Sequence, residues 1–221
     1  MNITIQPILE AIRTTEKKYH RPPNSVSLLA VSKKQSADKI RQVYHAGQKS
    51  FGENYCQEAL EKQRNLSDCA IEWHFIGSIQ SNKTKLIAEH FDWVQSVDRI
   101  SIAKRLNDQR PAHLKPLNIC IEINIDEEKT KSGVLPHDAF ELAKNIISLK
   151  HLKLRGIMTI PEKNNSTIAF QKMAALYQKL TQEGFELDTL SMGMSDDYID
   201  AIAAGSTMVR IGTAIFGERK I

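Results

Sequence analysis

Apolar and polar residues alternate along the chain in two patterns. Short runs rich in valine, isoleucine and leucine predict strands, and the segments between them carry apolar residues at helical spacing, such as Ile40, Val43 and Tyr44. The predicted strands are residues 25–32, 49–53, 73–77, 92–97, 117–125, 152–160, 187–193 and 206–212. A further helix is predicted at the N-terminus, over roughly residues 3–20 and interrupted at Pro7.

Eight strands alternating with helices indicate an α/β fold, and in a chain of 221 residues they predict a single (β/α)8 TIM barrel with an extra N-terminal helix. The competing architecture is a doubly wound open sheet. It would have fewer strands or a GxGxxG turn, and no such turn follows the first strand. No linker-like stretch divides the chain, so we expect one domain over residues 1–221.

Composition excludes several classes of protein. The net charge is +4, but acids and bases are interleaved and aromatic residues are only 6%, so a nucleic-acid partner is not expected. The first twenty residues have no apolar core or cleavage site, so no signal peptide is expected, and no run is long enough to span a bilayer. Three cysteines without a CxxC pair (Cys56, Cys69 and Cys120) indicate reduced thiols and a cytoplasmic location. The histidines have no metal-binding spacing, so no metal site is predicted.

The end of the first predicted strand carries two adjacent lysines. Side chains alternate across a strand, so Leu29, Val31 and Lys33 share one face, and Lys34 lies on the other. The larger residues at 29 and 31 suit the interior of a barrel. We therefore expect Lys33 to point into the mouth of the barrel, where the functional groups of this fold collect.

The last two strands supply a candidate phosphate site. The seventh runs into Ser195, predicted to cap a helix whose first turn is acidic, and the eighth runs through Arg210 into Gly212 and Thr213. Barrels of this kind often hold a phosphate at this place. An amine beside a phosphate site suggests either a sugar-phosphate aldolase or a lysine that holds pyridoxal 5′-phosphate as an internal aldimine.

Several sequence segments favour one of these two chemistries. They are LLAVSK (28–33), FGENYCQE (51–58), EWHFIGSIQSNK (72–83), TKSG (130–133), LRGIMTIP (154–161) and LSMGMSDDYIDAIAAGSTMVRIGTAIFG (190–217), which match at most of their positions. With these segments the chain resembles the pyridoxal phosphate homeostasis protein family. The fold of that family is similar to the N-terminal barrel of alanine racemases, in the fold type III group of pyridoxal phosphate proteins.

The resemblance assigns roles to individual residues. It implies that Lys33 forms the aldimine and that Arg210 faces the pyridine nitrogen. The phosphate would be bound by three residues: Ser195, Gly212 and Thr213. Three further residues would line the cofactor pocket: Asn54, Asn82 and Met158.

The resemblance also implies a function. The protein would bind pyridoxal 5′-phosphate and act in vitamin B6 homeostasis as a carrier or buffer without catalytic residues. The alternative is a small racemase-like enzyme. Racemases need a second acid/base group from another domain of a partner subunit, and we expect no such group here because the chain ends at Ile221. We expect a monomer that contacts pyridoxal-phosphate-dependent enzymes transiently.

Overall fold

Parallel strands follow one another around a closed barrel in the computed structural model, which describes residues 5–128, 130–162 and 166–217. The strands are β1 (Ser27–Val31), β2 (Ser50–Glu53), β3 (Glu72–Phe75), β4 (Trp93–Val97), β5 (Leu117–Glu122), β6 (Leu152–Met158), β7 (Thr189–Ser191) and β8 (Met208–Ile211). Closure is made by β1 and β8, which pair with Leu28 opposite Val209. The predicted TIM barrel is confirmed, and the open sheet is excluded because β1 pairs with both β2 and β8.

Helices connect the strands on the outside of the barrel. They are α1 (Gln6–Lys18), α2 (Ala37–His45), α3 (Cys56–Asn65), α4 (Thr84–His90), α5 (Ile100–Gln109), α6 (Ala139–Ile146), α7 (Ser166–Gln182), α8 (Tyr198–Ala203) and α9 (Thr213–Phe216). Two short 3₁₀ turns lie at Ser81–Lys83 and Pro136–Asp138. The additional N-terminal helix is α1, which packs against α8.

Proline does not interrupt the N-terminal helix, contrary to the prediction. Helix α1 begins at Gln6 and Pro7 lies in its first turn. The first N–H groups of a helix have no partner within the helix, so a proline costs little there. Residues 3 and 4 of the predicted helix lie outside the described residues.

Alternation along β1 separates two apolar layers. Leu28 and Ala30 belong to the large layer between the strands and the helices. Leu29 faces the barrel interior, where it packs with Ile76 and Met208. Continued past the end of β1, the same alternation places Lys33 on the inward side with Leu29, and Lys34 on the outward side. Only Lys33 is then directed towards the mouth of the barrel.

Candidate functional site

A cavity of about 500 Å³ opens at the C-terminal ends of the strands. Its volume lies within the range of about 300–1,000 Å³ that is usual for small-molecule sites. The residues that line it are Val31, Lys33, Asn54, Ile76, Ile160, Met194, Ser195, Asp196, Arg210, Gly212, Thr213 and Ala214. Six of the eight residues that the sequence assigns to the site therefore meet at one cavity.

Lys33 and Lys34 are placed differently. Lys33 follows Val31 on the inward side, is half-buried and lines the cavity. Lys34 is exposed, and its backbone has a φ of 61°, in the left-handed region. The chain therefore turns sharply after Lys33, and the second lysine points away from the cavity.

Buried charges hold the turn at Lys33 from outside the barrel. The Ser32 hydroxyl donates to Glu53 Oε1 at 2.6 Å, and Lys62 Nζ donates to the Ser32 carbonyl at 2.7 Å. Lys62 also binds Glu53 and Glu58, at 2.7 and 2.5 Å. We call Glu53, Glu58 and Lys62 the charged cluster.

The charged cluster also reaches the second lysine through the backbone. The Lys34 N–H donates to Glu58 Oε1 at 2.5 Å. Burial raises the pKa of Glu53, and the neighbouring Lys62 ammonium acts in the opposite direction. The cluster therefore fixes the backbone on both sides of Lys33 without touching the cavity.

Arg210 is the buried cation of the site. It is only 3% exposed, and its guanidinium donates to Ser191 Oγ at 2.8 Å and to the Thr159 carbonyl at 2.7 Å. Burial lowers its pKa to about 10, while the nearby Glu122 carboxylate acts to raise it. Arg210 therefore stays positively charged at neutral pH.

The end of β8 packs closely on β1 at the edge of the cavity. Gly212 immediately precedes α9, and a Cβ at this position would lie 3.0 Å from the Val31 carbonyl oxygen. A side chain would therefore press on β1 at the edge of the cavity. Thr213 follows with an exposed side chain that lines the same cavity.

Ser195 lines the cavity, but it does not cap a helix as predicted. Helix α8 begins at Tyr198, after a turn in which Asp197 Oδ1 accepts a hydrogen bond from the Met194 N–H at 2.7 Å. The aspartate closes this turn because its carboxylate reaches back to the N–H three residues earlier. The Ser195 hydroxyl is thus not used in capping.

Of the three remaining predicted pocket residues, one lines the cavity and two do not. Asn54 lines the cavity, and its Oδ1 is buried without a hydrogen-bond partner in the described part of the chain. Asn82 is exposed in the 3₁₀ turn Ser81–Lys83 and does not line this cavity. Met158 is fully buried with Trp93 and Cys120 and does not line it either. Matching motifs gives positions along the chain but not the directions of side chains, which explains both differences.

Sequence reasoning missed three polar residues around Arg210. Ser191 binds the guanidinium, Gln95 binds Ser191, and Glu122 is a carboxyl whose pKa burial raises to about 7. A polar residue between apolar neighbours in a predicted strand, as in WVQSV (93–97), was the available signal. Such residues in a barrel strand must find partners inside the barrel.

The described ranges lack both a metal-binding cluster and a membrane-spanning helix. No group of three or more histidine, cysteine, aspartate or glutamate side chains there could hold a metal ion. No helix there is both long enough and apolar enough to cross a membrane.

The closed parallel barrel and its cavity, with a lysine at the end of β1 and a buried arginine on β8, define a small-molecule-binding (β/α)8-barrel protein. A family model described as the alanine racemase N-terminal domain matches residues 5–220. A pyridoxal phosphate homeostasis protein of Vibrio alginolyticus is 53% identical over 223 residues, which cover 97% of this chain and 96% of the relative. The chain belongs to the alanine racemase N-terminal domain family, and within it to the pyridoxal phosphate homeostasis proteins.

Solved structures agree with this assignment. PipY of Synechococcus elongatus PCC7942, in a structure with pyridoxal phosphate bound, is 34% identical with a TM-score of 0.81, covering 93% of this chain and all of PipY. An alanine racemase of Clostridium difficile 630 has a TM-score of 0.74 at 16% identity, covering 98% of this chain and 58% of the racemase. At that identity the racemase shows the shared fold alone.

Proposed function

We propose that this protein binds pyridoxal 5′-phosphate in the cavity and acts in pyridoxal phosphate homeostasis as a carrier and not as an enzyme. The names of its relatives and the pyridoxal phosphate bound to PipY support the proposal. The observation that carries it is the meeting of Lys33, Arg210 and the Gly212–Thr213 turn at one cavity of about 500 Å³.

The residues of the cavity fit the chemical groups of the cofactor. When bound, pyridoxal 5′-phosphate supplies an aldehyde that condenses with a primary amine, a phosphate, and a pyridine ring that can accept electrons. Lys33 provides the amine. Ser195, Gly212 and Thr213 would hold the phosphate, because a hydroxyl and closely approachable backbone N–H groups suit an anion. Asn54 has a buried oxygen that lacks a partner within the described residues.

Arg210 disfavours two of the reactions that pyridoxal phosphate enzymes catalyse. Its guanidinium stays charged at neutral pH even though burial lowers its pKa to about 10. We place it beside the pyridine nitrogen, where a permanent positive charge disfavours protonation of the ring. A ring without that proton accepts electrons poorly, so decarboxylation and transamination are disfavoured.

Location and assembly belong to the same proposal. All three cysteines are free thiols, as expected for a protein of the reducing cytoplasm. We infer that residues 1–221 form one domain and that the protein is a monomer, which delivers cofactor in transient contacts with pyridoxal-phosphate-dependent enzymes.

The first experiment identifies the attachment site. The protein is incubated with pyridoxal 5′-phosphate, reduced with borohydride and digested, and the labelled peptide is sequenced by mass spectrometry. We expect the label on Lys33. Lys33→Ala should abolish the cofactor absorption band, and the matched control Lys34→Ala should keep it because Lys34 is exposed and outside the cavity lining. A label on Lys34 would overturn the assignment.

The second experiment separates carrier from enzyme. The loaded protein is incubated with single enantiomers of amino acids, and optical purity is followed by chiral chromatography. A carrier leaves the optical purity unchanged over many equivalents of amino acid. Steady racemisation that disappears in Lys33→Ala would instead establish the racemase-like alternative.

A further inference from the structure

Side chains inside the barrel form a continuous hydrogen-bonded chain that ends at Arg210. Glu72 Oε1 lies 2.9 Å from His74 Nε2, and His74 Nδ1 lies 2.9 Å from Gln95 Nε2. Gln95 Oε1 accepts from the Ser191 hydroxyl at 2.6 Å, and Ser191 Oγ accepts from Arg210 at 2.8 Å. We call His74, Gln95 and Ser191 the interior relay; it joins Glu72, at the start of β3, to the cavity.

We propose that Gln95 and Ser191 are positioning residues, which hold the Arg210 guanidinium in a fixed orientation at the cavity wall. The inference rests on the proposed function, in which Arg210 faces the ring of the cofactor. It goes beyond that function because it assigns a role to two buried residues that do not line the cavity.

The charges at the two ends set the direction of every hydrogen bond. A guanidinium can only donate, so Ser191 Oγ accepts from Arg210 and gives its own hydrogen to Gln95 Oε1. The amide nitrogen of Gln95 then donates to His74 Nδ1, which leaves the imidazole hydrogen on Nε2, facing Glu72. His74 is therefore neutral, in agreement with the lowering of its pKa by burial.

Burial prevents the relay from rearranging. His74, Gln95 and Ser191 are all fully buried, so a rotated side chain would leave polar groups without partners. The imidazole also stacks on Trp93, with ring centroids 5.0 Å apart and an angle of 10° between the planes. With both ends charged and the middle packed, the relay has one favourable arrangement.

The relay leaves part of the guanidinium for a ligand. Of its five N–H donors, the described residues use one for Ser191 and one for the Thr159 carbonyl. These two bonds, made from different nitrogens, fix the plane of the group. Since Arg210 lines the cavity, its remaining donors are presented in a defined direction.

The test compares two buried glutamines. Gln95→Met removes the amide of the relay, and Gln48→Met is the matched control, because Gln48 is also buried and also makes two bonds, to the carbonyls of Leu28 and Ser50. Ser191→Ala removes the hydroxyl, and Ser191→Thr is the conservative variant that keeps one. All variants are made in the full-length protein.

The first readout needs no cofactor. Restricted rotation of the Arg210 guanidinium gives separate ¹⁵N NMR signals for its two terminal nitrogens. We expect them to be separate in the unmodified protein, Gln48→Met and Ser191→Thr, and to merge in Gln95→Met and Ser191→Ala. Separate signals in Gln95→Met would overturn the proposal, as would merging in Gln48→Met as well.

The second readout is the affinity for pyridoxal 5′-phosphate, measured by absorption titration. We expect about a tenfold loss in Gln95→Met and Ser191→Ala and less than a twofold change in both controls. An equal loss in Gln95→Met and Gln48→Met would show a structural role alone and overturn the proposal. If the unmodified protein failed to bind the cofactor, the proposed function would fail, and the NMR comparison would still decide whether the relay holds Arg210.

Discussion

The two basic side chains of the cavity are supported in opposite ways. The turn that carries Lys33 is held by the charged cluster, which lies between the strands and α3 and consists of ions. Arg210 is held by the interior relay, which consists of neutral groups with charges only at its ends. Apart from Glu58, which is half-buried, the residues of both supports are buried, so the main difference between the supports lies in their chemistry.

The charged cluster is the more costly of the two supports. Glu53 is fully buried and Lys62 is 6% exposed, so both ions lose most of their hydration. Glu53 Oε2 is buried without a partner in the described part of the chain, which adds to the cost. Ions that are held together in this way stabilise the fold only while both are present.

The interior relay consists of several ordinary hydrogen bonds, each of which contributes a small part of its stability. Removing one neutral member costs the desolvation of the groups left unpaired and no more. The main effect of the relay is on orientation, because the guanidinium of Arg210 at one end and the carboxylate of Glu72 at the other fix the direction of every hydrogen bond between them. We conclude that the cluster mainly sets the stability of the Lys33 turn, and the relay mainly sets the geometry of Arg210.

The largest expected effect is that of Lys62→Met. It leaves Glu53 buried without a cation, so we expect the free energy of unfolding to fall by about 3–5 kcal/mol at pH 8. Urea unfolding of the cofactor-free protein measures it. The loss should shrink as the pH falls, because the pKa of Glu53, already raised by burial, rises further without Lys62 and the carboxyl then binds a proton.

The control for Lys62→Met is the double variant Lys62→Met/Glu53→Gln. Replacing both partners removes the uncompensated charge, so we expect the double variant to recover at least half of the loss. If the single and double variants were equally destabilised at pH 8, the cluster would act through packing and not through charge.

The next effect concerns Glu122, a carboxyl of the barrel interior that is not part of the relay. Burial raises its pKa to about 7 from an ordinary 4.5, so the folded protein holds a proton that the unfolded chain releases. Stability should therefore fall as the pH rises from about 4.5 through 7. Glu122→Gln should remove this fall, with a gain of at most about 3 kcal/mol at pH 8 relative to pH 4.

Thermal or urea unfolding at several pH values measures the Glu122 effect. The control is Asp98→Asn, because the Asp98 carboxylate is one of the charges that raise the pKa of Glu122. In this variant the fall in stability should end at a somewhat lower pH than in the unmodified protein, but it should not disappear. A pH profile that is identical in Glu122→Gln and the unmodified protein would show that the carboxyl titrates normally.

A smaller loss of stability is expected for the interior relay. Gln95→Met leaves Ser191 and His74 each without one partner, so we expect a loss of about 1–2 kcal/mol by urea unfolding. Gln48→Met should cost about the same, since it removes the hydrogen bonds to the carbonyls of Leu28 and Ser50. A loss in Gln95→Met as large as that in Lys62→Met would remove the distinction between the two supports.

The sequence predicted the barrel because the barrel follows from local patterns. Strand β1 alternates between Leu28 and Ala30, which face the helices, and Leu29, which faces the interior. The same alternation predicts the inward direction of Lys33. The alternation of side chains depends only on neighbouring residues, so it can be predicted without knowing which distant residues are in contact.

The sequence could not predict which distant side chains meet. The relay joins residues of β3, β4, β7 and β8, and Gln95 and Ser191 lie far apart in the chain, so no local pattern relates them. Asn82 and Met158 were placed in the pocket by motif, but one is exposed and the other packs on Trp93 and Cys120. Ser195 was expected to cap a helix, and Asp197 closes that turn instead.

The smallest expected effect tests whether the charged cluster holds the backbone of the Lys33 turn and not a side chain. Lys34 has a φ of 61°, which costs a residue with a side chain about 1 kcal/mol, and its N–H binds Glu58. Lys34→Gly keeps this N–H and removes the strain, so we expect urea unfolding to show a gain of about 0.5 kcal/mol. The matched control is Lys104→Gly, also exposed but within α5, which should lose about 1 kcal/mol. Losses of equal size in both variants would show that the Lys34 side chain itself supports the turn.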